Sequence, residues 1–161
     1  LLSGDNEAMN PSQPGTVHAV LEDFLGHWRG TTRLAPSAWG PARSAAAEIS
    51  FTRAAGGFAV VQSYRHTEAN GTHFDGHGVF TVDPDHNDVL WYYVDSTGLP
   101  PGSPLRCTWV GGVLRVERHS DRRTARHTFQ VADSVLTYSA ELRLGEGQNF
   151  VPFMTSECRR A

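Results

Sequence analysis

From Ser44 onward the chain is a succession of short runs that alternate apolar and polar residues, each closed by turn chemistry within a few residues of the next. Parallel strands need crossovers of a dozen residues or more, and no segment between these runs is long enough to supply one. The runs must therefore pair as consecutive antiparallel hairpins. They are Ser44–Arg53, Phe58–Glu68, Thr72–Asp83, Asp88–Ser96, Leu105–Val110, Val113–His119, Thr124–Val131, Val135–Leu144 and Phe150–Arg159, after a first strand that starts at Trp28. Asn70-Gly71 is the strongest hairpin signal, and Gly111-Gly112 and Ala132-Asp133-Ser134 mark two more. Thr97–Pro104, with three prolines and two glycines, is the longest loop between strands past residue 44. A meander of about ten strands curls and removes its edges by closing, so an all-β, antiparallel up-and-down barrel is predicted, with a two-sheet sandwich as the alternative.

Ahead of the first strand, Val17, Val20, Leu21, Phe24 and Leu25 fall on one helical stripe behind Thr16 as a candidate N-cap, which predicts a short helix plugging one barrel mouth. Residues 1–16 are polar and carry Pro11, Pro14 and Gly15, so they read as an arm, and 17–161 as the barrel domain. A hold on the arm could come from the barrel or from a second copy, which leaves a homodimer open.

At 161 residues the chain can bury a real core, and its net charge of −3 gives no electrostatic case for nucleic acid. Every basic residue outside the histidines is arginine. Cys107 and Cys158 lie far apart with no Cys/His spacing motif, so two buried thiols are expected rather than a zinc site or a disulfide. There is no run of 18 apolar residues and no basic-then-apolar signal at the amino terminus; a cytoplasmic protein away from membranes is the expectation.

The stretch Gly26-His27-Trp28-Arg29-Gly30, behind a helix and ahead of a meander, resembles the calycin barrels: lipocalins, fatty-acid-binding proteins and nitrobindins. Over roughly residues 17 to 160 the chain is similar to a large bacterial family of lipocalin-like domains of unknown function, through Ala55-Gly56-Gly57-Phe58, Phe74-Asp75-Gly76-His77-Gly78-Val79-Phe80, Tyr93-Val94-Asp95-Ser96 and Pro152-Phe153-Met154. The resemblance implies a calycin-like barrel with a ligand cavity. Nitrobindins hold haem through a histidine on the last strand near a proline; here Pro152 is followed by Phe153 and Met154, and Phe150–Arg159 has no histidine. Haem is accordingly ranked below an organic ligand, and no cofactor and no metal is expected.

His73, Asp75 and His77 share one face of a strand, but two histidines four residues apart are ~13 Å from each other along it, too far for one ion. A solvated face is the plain reading, with Phe74 and Phe80 opposite. Gly76 and Gly78 stand on that opposite face and call for a bulky neighbour, barrel curvature or a close ligand. His127, between Ala125 and Phe129, is a core histidine or a pocket acid–base group. Arg118 shares a face with Leu114 and Val116 and is either a strand-end arginine or a carboxylate anchor, as in fatty-acid-binding barrels. Asp95 ends its strand as a turn cap or as a carboxylate at the mouth. A cavity wider than an eight-stranded barrel need not be filled, and Trp28, Tyr64, Tyr92, Arg118, Tyr138 and Met154 are the residues expected to line it around a small, mostly apolar organic ligand; Tyr92 and Tyr93 face opposite ways. The alternative is a cofactor-free isomerase or cyclase using His77 or His127 as base. No nucleophile elbow, phosphate loop or dinucleotide fingerprint is present.

Overall fold

The computed structural model describes residues 17–38, 40–83, 85–86, 88–98, 102–121 and 123–161; the arm expected over 1–16 lies outside them. A helix, α1 (Val17–Phe24), leads into eleven strands: β1 (Gly26–Leu34), β2 (Arg43–Ala54), β3 (Ala59–Thr67), β4 (His73–Asp83), β5 (Asp88–Asp95), β6 (Leu105–Arg106), β7 (Thr108–Val110), β8 (Val113–His119), β9 (Thr124–Ala132), β10 (Val135–Arg143) and β11 (Val151–Arg160). They form one sheet in the order β6-β5-β4-β3-β2-β1-β11-β10-β9-β8-β7, every neighbour antiparallel. This is the up-and-down barrel with a short N-terminal helix.

One predicted strand is two. Leu105–Val110 breaks at Cys107: β6 pairs with Leu90 and Trp91 of β5, while β7 pairs with Val113–Arg115 of β8. The stretch must leave one neighbour and join another, and Cys107 makes the step, its N–H donating to the Val89 carbonyl at 2.8 Å. Chain continuity thus carries the wall from β5 to β8 at the α1 end. Towards the other end, Tyr92–Asp95 and Val116–His119 face each other with no ladder between them. The barrel is nearly closed, with this interval as its gap.

The α1 end is sealed by apolar packing. Leu21 and Phe24 are buried, and Phe24 meets Phe51 at 5.5 Å between ring centroids. A helix leaves its last carbonyls unpaired. Here Trp28 Nε1–H donates to the Phe24 carbonyl at 2.8 Å, and the Arg160 guanidinium, 4.3 Å above the Trp28 ring, donates to the carbonyls of Leu25 and Asp23 at 2.6 and 3.0 Å. First and last strands therefore clamp the helix between them. Replacing Trp28 by phenylalanine removes the buried bond to Phe24 and part of the ring volume. A loss of about 2 kcal/mol is expected, with faster amide exchange in α1; an unchanged urea midpoint would refute the clamp.

Both cysteines are buried free thiols, as the spacing implied. No helix among the described residues is long and apolar enough to cross a membrane.

Candidate functional site

Inward-facing residues change character along the barrel. Beneath α1 they are apolar, including Phe51, Val60, Phe80, Val82, Val89, Leu114 and Phe129. Towards the opposite end the same strands turn inward Thr32, Gln62, Tyr64, His66, His127, Tyr138 and Ser156, all buried, together with Tyr93, Asp95 and Arg118 near the gap.

Two of the hydrogen-bonded groups in this polar half are built around tyrosines. In the first, the Tyr64 hydroxyl lies 2.9 Å from Thr32 Oγ1 and 2.7 Å from His66 Nδ1, and it donates to Met154 Sδ at 3.5 Å; Thr32 Oγ1 is in turn 2.6 Å from Ser156 Oγ. Burial pushes the Tyr64 phenol up to about 12, against the hydroxyls of Thr32 and Ser156, and burial lowers the His66 pKa. In the second, His127 Nδ1 lies 2.7 Å from the Tyr138 hydroxyl. The rings of that pair are nearly parallel, and Trp91 and Tyr93 flank His127 at 5.0 and 5.7 Å. His127 is 6 % exposed, and burial first, then the Arg118 charge, hold its pKa down to about 3, with Asp95 opposing. It is therefore a neutral imidazole near pH 7.

The expected open cavity is not what fills the middle of the barrel. Tyr64 and Tyr138, from opposite walls, meet edge to face at 5.5 Å, and Phe129 stacks on Tyr138 at 4.4 Å. Aromatic bulk thus occupies width that strand number alone would leave open. Among the grooves lined by described residues, one of about 610 Å³ lies across the outer faces of β1–β5, between Arg29, Glu48, Ser63, Arg65, Asp75 and His77. Two exposed ion pairs line it, Arg29 with Glu48 and Arg65 with Asp75.

The structure sorts the sequence candidates. Tyr138, His127 and Arg118 come together at the polar half, Tyr64 beside them with Met154 against its hydroxyl. Tyr92 is a correction: it points outward, 45 % exposed, and Tyr93 takes the inward place, stacked on Trp91 at 4.6 Å. Trp28 is committed to the helix clamp rather than to this cluster. His77 stands on the outer face, its Nδ1 3.2 Å from Ser63 Oγ, so the barrel wall separates it from His127. The two histidines cannot serve one substrate, and an imidazole with a pKa of about 3 is a poor proton acceptor near neutrality. The last strand turns Met154, Ser156 and Cys158 inward, so haem ligation of the nitrobindin kind finds no imidazole there.

Gly76 and Gly78 have a packing reason. A Cβ on Gly76 would sit 2.6 Å from the Tyr93 hydroxyl, and one on Gly78 would sit 2.6 Å from both Gln62 Oε1 and Trp91 Nε1. Bare backbone on β4 lets the large rings of β5 lie flat against the wall. Sequence reading passed over Gln62, His66, Thr32 and Ser156. Strand parity carries the signal, since Gln62 and His66 flank Tyr64 at two-residue spacing and Ser156 lies between Met154 and Cys158.

No protein-family model matches this chain, and no curated protein matches it. Among solved structures, the crystal structure of Rv2717c from M. tuberculosis is 16% identical, with a TM-score of 0.65 over 89% of this chain and 96% of that one. That likeness is one of fold: an antiparallel barrel. A second structure, EF1p2_mFAP2b bound to DFHBI, aligns over 88% of this chain and 97% of that one at 11% identity and a TM-score of 0.46.

Proposed function

We propose that this protein is a binding barrel for a small organic molecule, taken up at the end opposite α1. The observation behind this reading is the polarity gradient of the interior. A chain that needed only a stable barrel would be served by apolar packing throughout, since buried polar networks are costly unless every member is satisfied. Here the apolar character of the α1 half gives way to two tyrosine–histidine pairs, Tyr64–His66 and Tyr138–His127, with Arg118 beside them. Aromatic bodies with polar tips are the lining that orients a small ligand in an otherwise apolar recess.

Native mass spectrometry of protein purified from its own host is the direct check. A mass increment that disappears on denaturation, and a small molecule recovered by extraction, are expected. A sample without any increment, whose melting temperature is moved by no member of a panel of small aromatic compounds, would defeat the proposal.

A further inference from the structure

Building on that binding reading, we propose that the ligand is a compact aromatic carboxylate, its oxygens held between the Arg118 guanidinium at the gap in the wall and the unpaired donors of His127–Tyr138 and Gln62 behind it.

A neutral imidazole and a phenol together hold two N–H or O–H hydrogens. The contact between His127 Nδ1 and the Tyr138 hydroxyl uses one, and neither group has another hydrogen-bond partner among the described residues. If Tyr138 donates, His127 Nε2–H is left over; if Nδ1–H donates, the Tyr138 O–H is left over. A buried donor remains in both tautomers. Gln62, fully buried, adds more. The Trp91 indole can only donate, which sets the amide with Oε1 towards Nε1 at 3.3 Å and leaves Gln62 Nε2 with no partner. Unpaired buried donors are costly, and a ligand that brings acceptors relieves them.

Charge points the same way. The groups facing His127 are Arg118, Asp95, Tyr93 and Tyr138. Asp95 is held at its strand end, where Oδ1 accepts from the Thr97 N–H at 3.0 Å and from the Thr97 hydroxyl. Arg118 is not held in this way. It lies 3.9 Å from Asp95 Oδ2, at the limit of an ion pair, and 5.0 Å above the Tyr93 ring, with no hydrogen bond among the described residues. Its planar fork is free to turn to an incoming carboxylate, the geometry that guanidinium binds best. Arg118 and Asp95 bridge the interval where β5 and β8 carry no ladder, so this is also where the wall can admit a molecule without breaking backbone pairing.

Shape sets the size. Trp91 and Tyr93 lie within 25° of parallel, as His127 and Tyr138 do within 15°, so the lining is flat. Phe80 and Phe129 close the barrel behind them. The filled core behind them stops a long acyl chain, so a molecule entering at the gap is a compact one, and the flat side chains there favour a flat ring.

The test uses benzoate and benzamide as probes, which share a ring and differ in charge, read by calorimetric titration of the full chain. Benzoate is expected to bind about tenfold or more tightly than benzamide, a ratio of the size that charge-assisted bidentate bonds supply. Arg118→Met should collapse most of that ratio, and Gln62→Leu should weaken benzoate with the ratio partly kept. The Arg118 side chain lies at the gap and is 28% exposed, outside the packed core, so its variant does not hinge on refolding of the core. Benzamide binding as tightly as benzoate, or a ratio that survives in Arg118→Met, overturns the carboxylate assignment and leaves the binding barrel standing. If neither probe binds while native mass spectrometry shows a bound molecule, the assignment alone falls. If neither binds and no molecule is found, the binding reading falls with it.

Discussion

Alanine at Gly30 is expected to keep the barrel from closing. A Cβ there would sit 1.9 Å from the Glu157 carbonyl oxygen and 2.7 Å from Cys158 Cα, both backbone atoms of β11. No side chain can swing aside to make room, so β1 and β11 must move apart. That pair joins the first strand to the last, from Trp28 opposite Arg160 to Leu34 opposite Met154, and Arg160 is also the clamp on α1. Overpacking that only side chains can relieve costs about 1–3 kcal/mol; a clash with backbone belongs to the exceptional class, about 4 kcal/mol or more. Against a total stability of about 5–15 kcal/mol, much of the variant should be unfolded or insoluble. Gly102→Ala is the control, since a Cβ there meets nothing within 4 Å; its urea midpoint should stay within about 0.5 kcal/mol of wild type. A Gly30→Ala protein with the wild-type midpoint would show that β1 and β11 do not approach this closely.

Acid should destabilise the protein well above the carboxylate range, through His127. An unfolded histidine titrates near 6.5, and the folded His127 only at about 3. Above pH 6.5 both states are neutral there and nothing is lost. Between 6.5 and 3 the unfolded chain takes up a proton that the buried imidazole refuses, so stability falls as pH falls, by roughly 1 kcal/mol per pH unit. Below 3 both states are protonated and this contribution levels off. His66, whose pKa burial also lowers, adds to the loss with the same sign. The melting temperature should be level from pH 8 to 7 and then drop steadily to pH 4.5. His127→Gln keeps a partner for Tyr138 and cannot titrate. It should melt lower at pH 7 but with a visibly shallower slope below pH 6.5; a slope equal to wild type would show that His127 is not buried neutral.

How much could be read beforehand follows from where the information sits. Antiparallel hairpins are local, and their turns announce themselves. Asn70-Gly71 and Gly111-Gly112 bring positive φ at Gly71, Gly111 and Gly112, and Asp133-Ser134 adopts φ of 52° and 64°, the mirror-image conformation that fits the twist of paired strands. Alternation likewise placed Ala45, Ala47, Ile49 and Phe51 on one face, and all four are buried. His127 could be read as inward because Phe129 shares its face. Tyr92 and Tyr93 could not be told apart: Val89-Trp91-Tyr93 and Leu90-Tyr92-Val94 are both apolar rows, so a period of two carries no contrast.

The strand succession, its antiparallel pairing and the helix ahead of it were legible in local patterns of residues, because each depends on neighbours a few positions away. Other features emerge only once the barrel closes: Leu105–Val110 serves two strands, Tyr64 and Tyr138 meet across the barrel and fill its middle, the wall separates His77 from His127, and Arg118 faces Asp95 across a gap in the ladder. These are distances across the barrel. They are set by how the strands tilt, stagger and close on one another, and no local pattern of residues encodes them.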